Sequence, residues 1–173
     1  MTENGHIGLK KDNPVLFEIR LDWLGHDTGI ITSNEVKDTV HVALPPAFGG
    51  LENQWSPEHL FLGSIASCYM TTLGVIANRM RLEMIHLNCQ IIGHIQLVDG
   101  KYEFTAVDLY PKVFIRDESY REKAEVAMQK TKKHCLVANS IRTSLIYHPE
   151  ILIESHPGLH NDNRLRPKAP LPN

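Results

Sequence analysis

The segment LFLGSIASCYMTTLGVIAN at residues 60–78 contains no Asp, Glu, Lys or Arg, and its apolar residues lie all around a helical wheel. A helix of this kind has to be covered on most of its surface. Ser56-Pro57-Glu58 is a strong start signal, because Ser accepts from the orphan amides, Pro suits the first helical position and Glu favours the positive end of the dipole. The helix is predicted to run to about Met80. A bilayer needs about 20 apolar residues, but Ser, Thr, Asn and Tyr dilute this run and no aromatic belt or basic loop flanks it. It therefore reads as a core helix and not a membrane span. The small residues Gly63, Ser64, Ala66, Ser67 and Gly74 would let a neighbouring element approach closely. One sheet and one further helix give too little cover, so a homodimer in which this helix packs on the partner is expected.

Around the helix, residues 15–23 (VLFEIRLDW) put Val15, Phe17, Ile19, Leu21 and Trp23 on one face of a half-buried strand. Gly25 and Gly29 bracket a turn, and residues 36–44 resume the alternation before Pro45 and Pro46. Downstream of the helix, residues 84–98 place Ile85, Leu87, Cys89, Ile91, Ile95 and Leu97 on one face. Asp99-Gly100 signals a hairpin. The return strand, residues 101–115, carries Tyr102, Phe104, Ala106 and Tyr110 at even spacing, with Pro111 marking an edge or a bulge. Ser119 and Glu122 have capping-box spacing for a second helix that ends at Cys135. A helical turn near residues 137–142 and one strand, SLIYHPEILIE, complete an α+β domain of antiparallel sheets over residues 1–154. Residues 155–173 have little to bury and are expected to be loose or to pack on a partner.

Composition narrows the function. With 42% apolar and 22% charged residues the chain can build one substantial core, and a net charge of -2 argues against a dedicated nucleic-acid binder. Three cysteines are too few, and odd, for a disulfide scaffold, and residues 1–14 lack the apolar region of a signal peptide. A cytoplasmic protein with reduced thiols is expected. Ten histidines show no HxxH or HExxH spacing, and His86 and His94 fall on the polar face of a strand, so they are taken as solvated and no metal site is expected.

Cys89 is in register with apolar neighbours and reads as a small buried hydrophobe. Cys68 lies about three turns into the apolar helix, where burial suppresses a thiolate. Cys135 ends the second helix, where the dipole opposes a thiolate and Lys132, Lys133 and His134 favour it. Local physics leaves both open. Glu58 precedes Cys68 by ten residues, roughly 15 Å of rise and about 80° of rotation on a straight helix. These side chains cannot touch within one helix, so a shared site needs a bridging cation or a second subunit.

The run WSPEHLFLGSIASC, residues 55–68, resembles the Pro-Glu and Ala-x-Cys helix of the OsmC/Ohr family, the osmotically inducible and organic hydroperoxide resistance proteins. The segment KHCLVANSI, residues 133–141, is similar to that family's second-cysteine segment, without its usual proline after the cysteine. The resemblance implies an intertwined homodimer with active sites at the subunit interface. It implies Cys68 as the peroxidatic thiolate for organic or fatty-acid hydroperoxides, Cys135 as the resolving thiol, an external dithiol reductant, and no cofactor. It also implies that Glu58 orients an active-site arginine. No arginine lies between Arg20 and Arg79, and Lys37, His26, His41 and His59 are the cationic candidates. The alternative is a protein that binds an apolar ligand, or senses redox state, without turnover.

Overall fold

A computed structural model of the chain describes residues 14–154; the tail expected at residues 155–173 lies outside them. The chain divides into two compact units between Phe61 and Leu62.

The first unit holds a three-stranded antiparallel sheet of β1 (Arg20–Gly25), β2 (Thr28–Ser33) and β3 (Val36–Ala43), in that order. His26 and Asp27, both with positive φ, form the two-residue turn between β1 and β2, the geometry that matches the twist of a hairpin. The strand starts at Arg20 and not at Val15, and its apolar face is uncovered: Trp23 is 76% exposed, and Phe17, Ile19 and Leu21 are exposed too. Alternation predicted a half-buried strand. The described residues of the first unit supply no second layer for that face.

Helix α1 (Pro57–Met80) begins where predicted. Ser56 Oγ accepts from the His59 N–H at 3.4 Å, and the Ser56 N–H donates to His59 Nδ1 at 3.3 Å. This is a reciprocal capping box in which His59 takes the place usually held by Glu or Gln. By length and composition α1 could cross a bilayer, with a mean hydropathy of 1.7 over its most apolar stretch.

The second unit is a mixed sheet with helices. Strand β4 (Met84–Val98) turns at Asp99-Gly100, both in the left-handed region, into β5 (Lys101–Ile115). After α2 (Arg121–His134) and the single turn α3 (Leu136–Asn139) come β6 (Ser144–Tyr147) and β7 (Glu150–Ile153). Both of the last strands pair parallel to β5, so the one antiparallel strand expected here is two short parallel strands, separated at His148-Pro149. Strand β5 is central, with β4 on one side and β6 and β7 on the other. Pro111 is therefore not at an edge. It falls opposite the break between β6 and β7, where a missing N–H leaves no ladder bond unmade.

The buried face of β5 is carried by odd positions, Val107, Leu109, Val113 and Ile115, and not by the even ones read from Tyr102 and Phe104. A bulge explains the change. Ile95 pairs with Phe104 and His94 with Ala106, which leaves Thr105 extra and inverts the faces beyond it. Over this floor α1 buries a narrow stripe, Ile65, Tyr69, Leu73 and Ala77, while Met70 stays 52% exposed. The helix was expected to be buried on most sides; the described chain covers one. Gly63 and Gly74 face open space. The close approach occurs instead at Gly93 of β4, where a Cβ would meet ring carbons of Phe104 at 2.5 and 2.9 Å and Leu62 Cδ2 at 3.0 Å.

Helix α2 buries Ala124, Ala127, Met128 and Thr131. Its entrance is capped by Asp117, which accepts from the Ser119 N–H at 2.9 Å through a preceding 3-10 turn. Ser119, expected as the cap, is the residue being capped.

Candidate active site

Cys68 sits mid-way along α1 and Cys135 at the point where α2 stops. Cys135 is the C-cap of α2 in extended conformation (φ -66, ψ 113), which turns the chain sharply into α3. That turn delivers two groups to the same sulfur. The Cys135 S–H donates to Cys68 Sγ at 3.0 Å, and the Val137 N–H donates to it at 3.4 Å. Thr72, one helical turn beyond Cys68, places its hydroxyl 3.9 Å from the same sulfur. Both cysteines are free thiols, Cys68 half-buried and Cys135 1% exposed.

The two thiols are driven apart in acidity. Burial pushes Cys68 up, but the hydrogen bonds from Cys135, Val137, Thr72 and the Leu136 amide outweigh it and hold Cys68 below an ordinary thiol. Cys135 is pushed up to about 11, first by burial and then by its hydrogen bond to Cys68. The Lys132, Lys133 and His134 charges, expected to favour a Cys135 thiolate, do not overcome this. Lys132 Nζ instead lies 4.9 Å from the centroid of the Tyr147 ring. Tyr147 packs beside Tyr69 at 6.2 Å between ring centroids, and burial pushes its phenol up to about 12. It stays protonated beside the thiol pair.

Cys89, read from its strand position as a buried hydrophobe, is packed less deeply than expected. It is half-buried on β4, opposite Pro111, and burial pushes it up to about 11. Glu58 belongs to the first unit, where its Oε2 is buried with no hydrogen-bond partner among the described residues. His59, one of the cationic candidates, is engaged at Nδ1 by Ser56 as part of the helix cap. His26 forms the β1–β2 turn, and Lys37 and His41 lie on β3.

Sequence reading missed Thr72, Val137 and Tyr147. The hydroxyl at i+4 from Cys68 was visible as a helical spacing; the other two depend on the turn after α2. It also took His94 as solvated, whereas His94 Nε2 is 2.7 Å from Asp108 Oδ2 and His148 Nε2 is 2.6 Å from Asp108 Oδ1. Likewise His86 packs against the Phe114 ring at 5.3 Å. Among the described residues no group of three or more His, Cys, Asp and Glu side chains is placed to hold a metal ion.

The family model for OsmC-like protein matches residues 50–147, a span that includes both Cys68 and Cys135. An OsmC-like protein from Vibrio cholerae superposes with a TM-score of 0.72 at 18% identity, covering 79% of this chain and 99% of that one. An organic hydroperoxide resistance protein from Elizabethkingia anophelis gives 0.64 at 18% identity, covering 81% and 99%. The organic hydroperoxide resistance protein OhrB of Bacillus subtilis gives 0.58 at 21% identity, covering 79% and 99%. The protein YmaD of Bacillus subtilis (strain 168) is 23% identical over 131 residues, 73% of this chain and 86% of its own. With a matching α+β fold and a family model that spans more than half of its residues, this chain belongs to the OsmC-like family.

Proposed function

We propose that this protein reduces organic or fatty-acid hydroperoxides with a pair of thiols, working as a cytoplasmic homodimer without metal or organic cofactor. The observation that carries the reading is the pairing of Cys68 and Cys135 at 3.0 Å across 67 positions of sequence, with Cys68 acidified and Cys135 held protonated. Such a pair is the minimal equipment for a two-electron reduction: one thiolate to attack, one thiol to resolve. That several relatives in fold are called organic hydroperoxide resistance proteins supports the same reading.

In the first step the Cys68 thiolate attacks the terminal oxygen of the hydroperoxide. An S–O bond forms, the O–O bond breaks, and the departing alkoxide takes a proton from water to leave as the alcohol. Cys135 then attacks the Cys68 sulfenic acid; an S–S bond forms, the S–O bond breaks, and hydroxide leaves with the Cys135 proton as water. An external dithiol returns both thiols. The exposed apolar residues of α1, Met70 and Val75, support a second copy as cover for this helix and a pocket with apolar walls. Glu58 is assigned to the site as well; its buried Oε2, without a hydrogen-bond partner among the described residues, supports that.

Dithiol-dependent peroxide consumption by the wild type and by Cys68→Ser tests the proposal. Cys68→Ser is expected to fall to background, and equal activity in the two would sink the role of Cys68. A redox sensor is the second reading, favoured by the absence of arginine between Arg20 and Arg79. It predicts one round of oxidation per protein and no turnover with any dithiol.

A further inference from the structure

A thiolate needs a partner, and the residues that act on Cys68 among those described include no cation. What faces its sulfur is a set of uncharged donors that converge from two elements. The Thr72 hydroxyl comes from its own helix, and the Cys135 S–H and Val137 N–H come from the turn after α2. The turn geometry is what aligns them: the extended Cys135 ends α2, so the thiol of Cys135 and the amide two residues later both point at one atom.

We infer that these uncharged donors of its own subunit hold Cys68 as the thiolate, so that Cys135 is an activator of Cys68 before it is its resolving thiol and Thr72 is a positioning residue of the site. The inference rests on the proposed peroxidase reading for its purpose, though not for its test. Hydrogen bonds to a thiolate are charge-assisted and stronger than those to the neutral thiol, so each donor favours the ionised form.

The same contact sets the order of events. Burial first, and then the hydrogen bond and charge of the Cys68 thiolate, hold the proton on Cys135. Conversion of Cys68 to the neutral sulfenic acid removes the Cys68 part of that hold, so Cys135 becomes a better nucleophile once Cys68 has been oxidised, and an encounter of two thiolates is disfavoured.

The experiment is the pH dependence of Cys68 alkylation by iodoacetamide in the reduced protein, read by mass at the Cys68 peptide, which requires no peroxide and no turnover. Cys135→Ala and Thr72→Val should each raise the apparent pKa of Cys68. At neutral pH the alkylation rate of Cys135→Ala should fall about tenfold for every pH unit by which its apparent pKa rises. Cys135→Ser and Thr72→Ser, which restore a hydroxyl donor, should recover most of the wild-type profile. The profile should change little between low and high salt, because an ion pair is screened and these donors are not. An unchanged apparent pKa in both Cys135→Ala and Thr72→Val would overturn the inference. So would a wild-type pKa that rises steeply with salt, since a cation would then be holding the sulfur. If the alkylation profile behaves as expected and peroxide is still not consumed, the donor set stands and the peroxidase reading fails.

Discussion

Cys68 and Cys89 lie in the same unit and are both half-buried, yet their acidities move in opposite directions. At Cys89 burial prevails over a single backbone hydrogen bond at Tyr110, and the thiol's other contact is the Gln90 carbonyl, 3.9 Å away. At Cys68 the burial penalty is also the largest single influence, but donors from three further residues join Cys135 to reverse the outcome. Depth alone thus keeps a thiol protonated, and a turn that aims an S–H and an amide at one sulfur moves it toward the thiolate.

The largest effect that sharpens this contrast is on chemistry. Cys68→Ala should abolish dithiol-dependent peroxide consumption, while Cys89→Ala should leave it within about twofold if Cys89 only packs. Consumption assays on the two variants decide it, and strong loss in Cys89→Ala would break the comparison.

Next in size is the support beneath Cys68. Leu73 is fully buried in the α1 stripe, so Leu73→Ala should cost about 2–5 kcal/mol in urea unfolding. Met70, on the uncovered side of the same helix, is expected to matter to self-association instead. Met70→Glu should shift the protein toward monomer in sedimentation velocity.

Smaller effects are read from pH. Cys135 and Cys89 both sit at about 11 in the folded protein, above an ordinary thiol. A raised acid gives stability that is fully present below its unfolded pKa and lost as pH rises through the folded one. Thermal midpoints should therefore fall between about pH 9 and pH 11, and Cys89→Ala should flatten part of that fall. Asp108 has the opposite sign. Hydrogen bonds from His148 and then His94 hold its carboxyl below the usual range. Its contribution is present above the unfolded pKa and lost as pH falls through the folded one, so Asp108→Asn should flatten the acid limb of the same profile slightly.

Much of this was legible in the sequence because local rules carried it. Ser56-Pro57 opened α1 at the observed residue, and Asp99-Gly100 closed the β4–β5 hairpin. Alternation placed Cys89 on the inward face of β4, although the structure leaves it half-buried. The failures share a cause, which is that pairing across the sheet is not written locally. The extra Thr105 inverted the buried face of β5, and Pro111 looked like an edge signal until β6 and β7 were seen to break opposite it. The apolar faces of β1 and α1 were read as buried because their patterns demand cover, and the described chain supplies little of it. Cys68 and Cys135 could be singled out from the sequence. Their approach, and the donors Thr72 and Val137 that come with it, follow from where α2 ends.

Cys68 and Cys135 are proposed as one redox pair, which peptide mass mapping after a single equivalent of an organic hydroperoxide puts to the test. A Cys68–Cys135 disulfide is expected, with Cys89 still free and one equivalent of alcohol released. A disulfide that includes Cys89, or oxidation of Cys68 to its sulfinic acid with Cys135 still a free thiol, would contradict it.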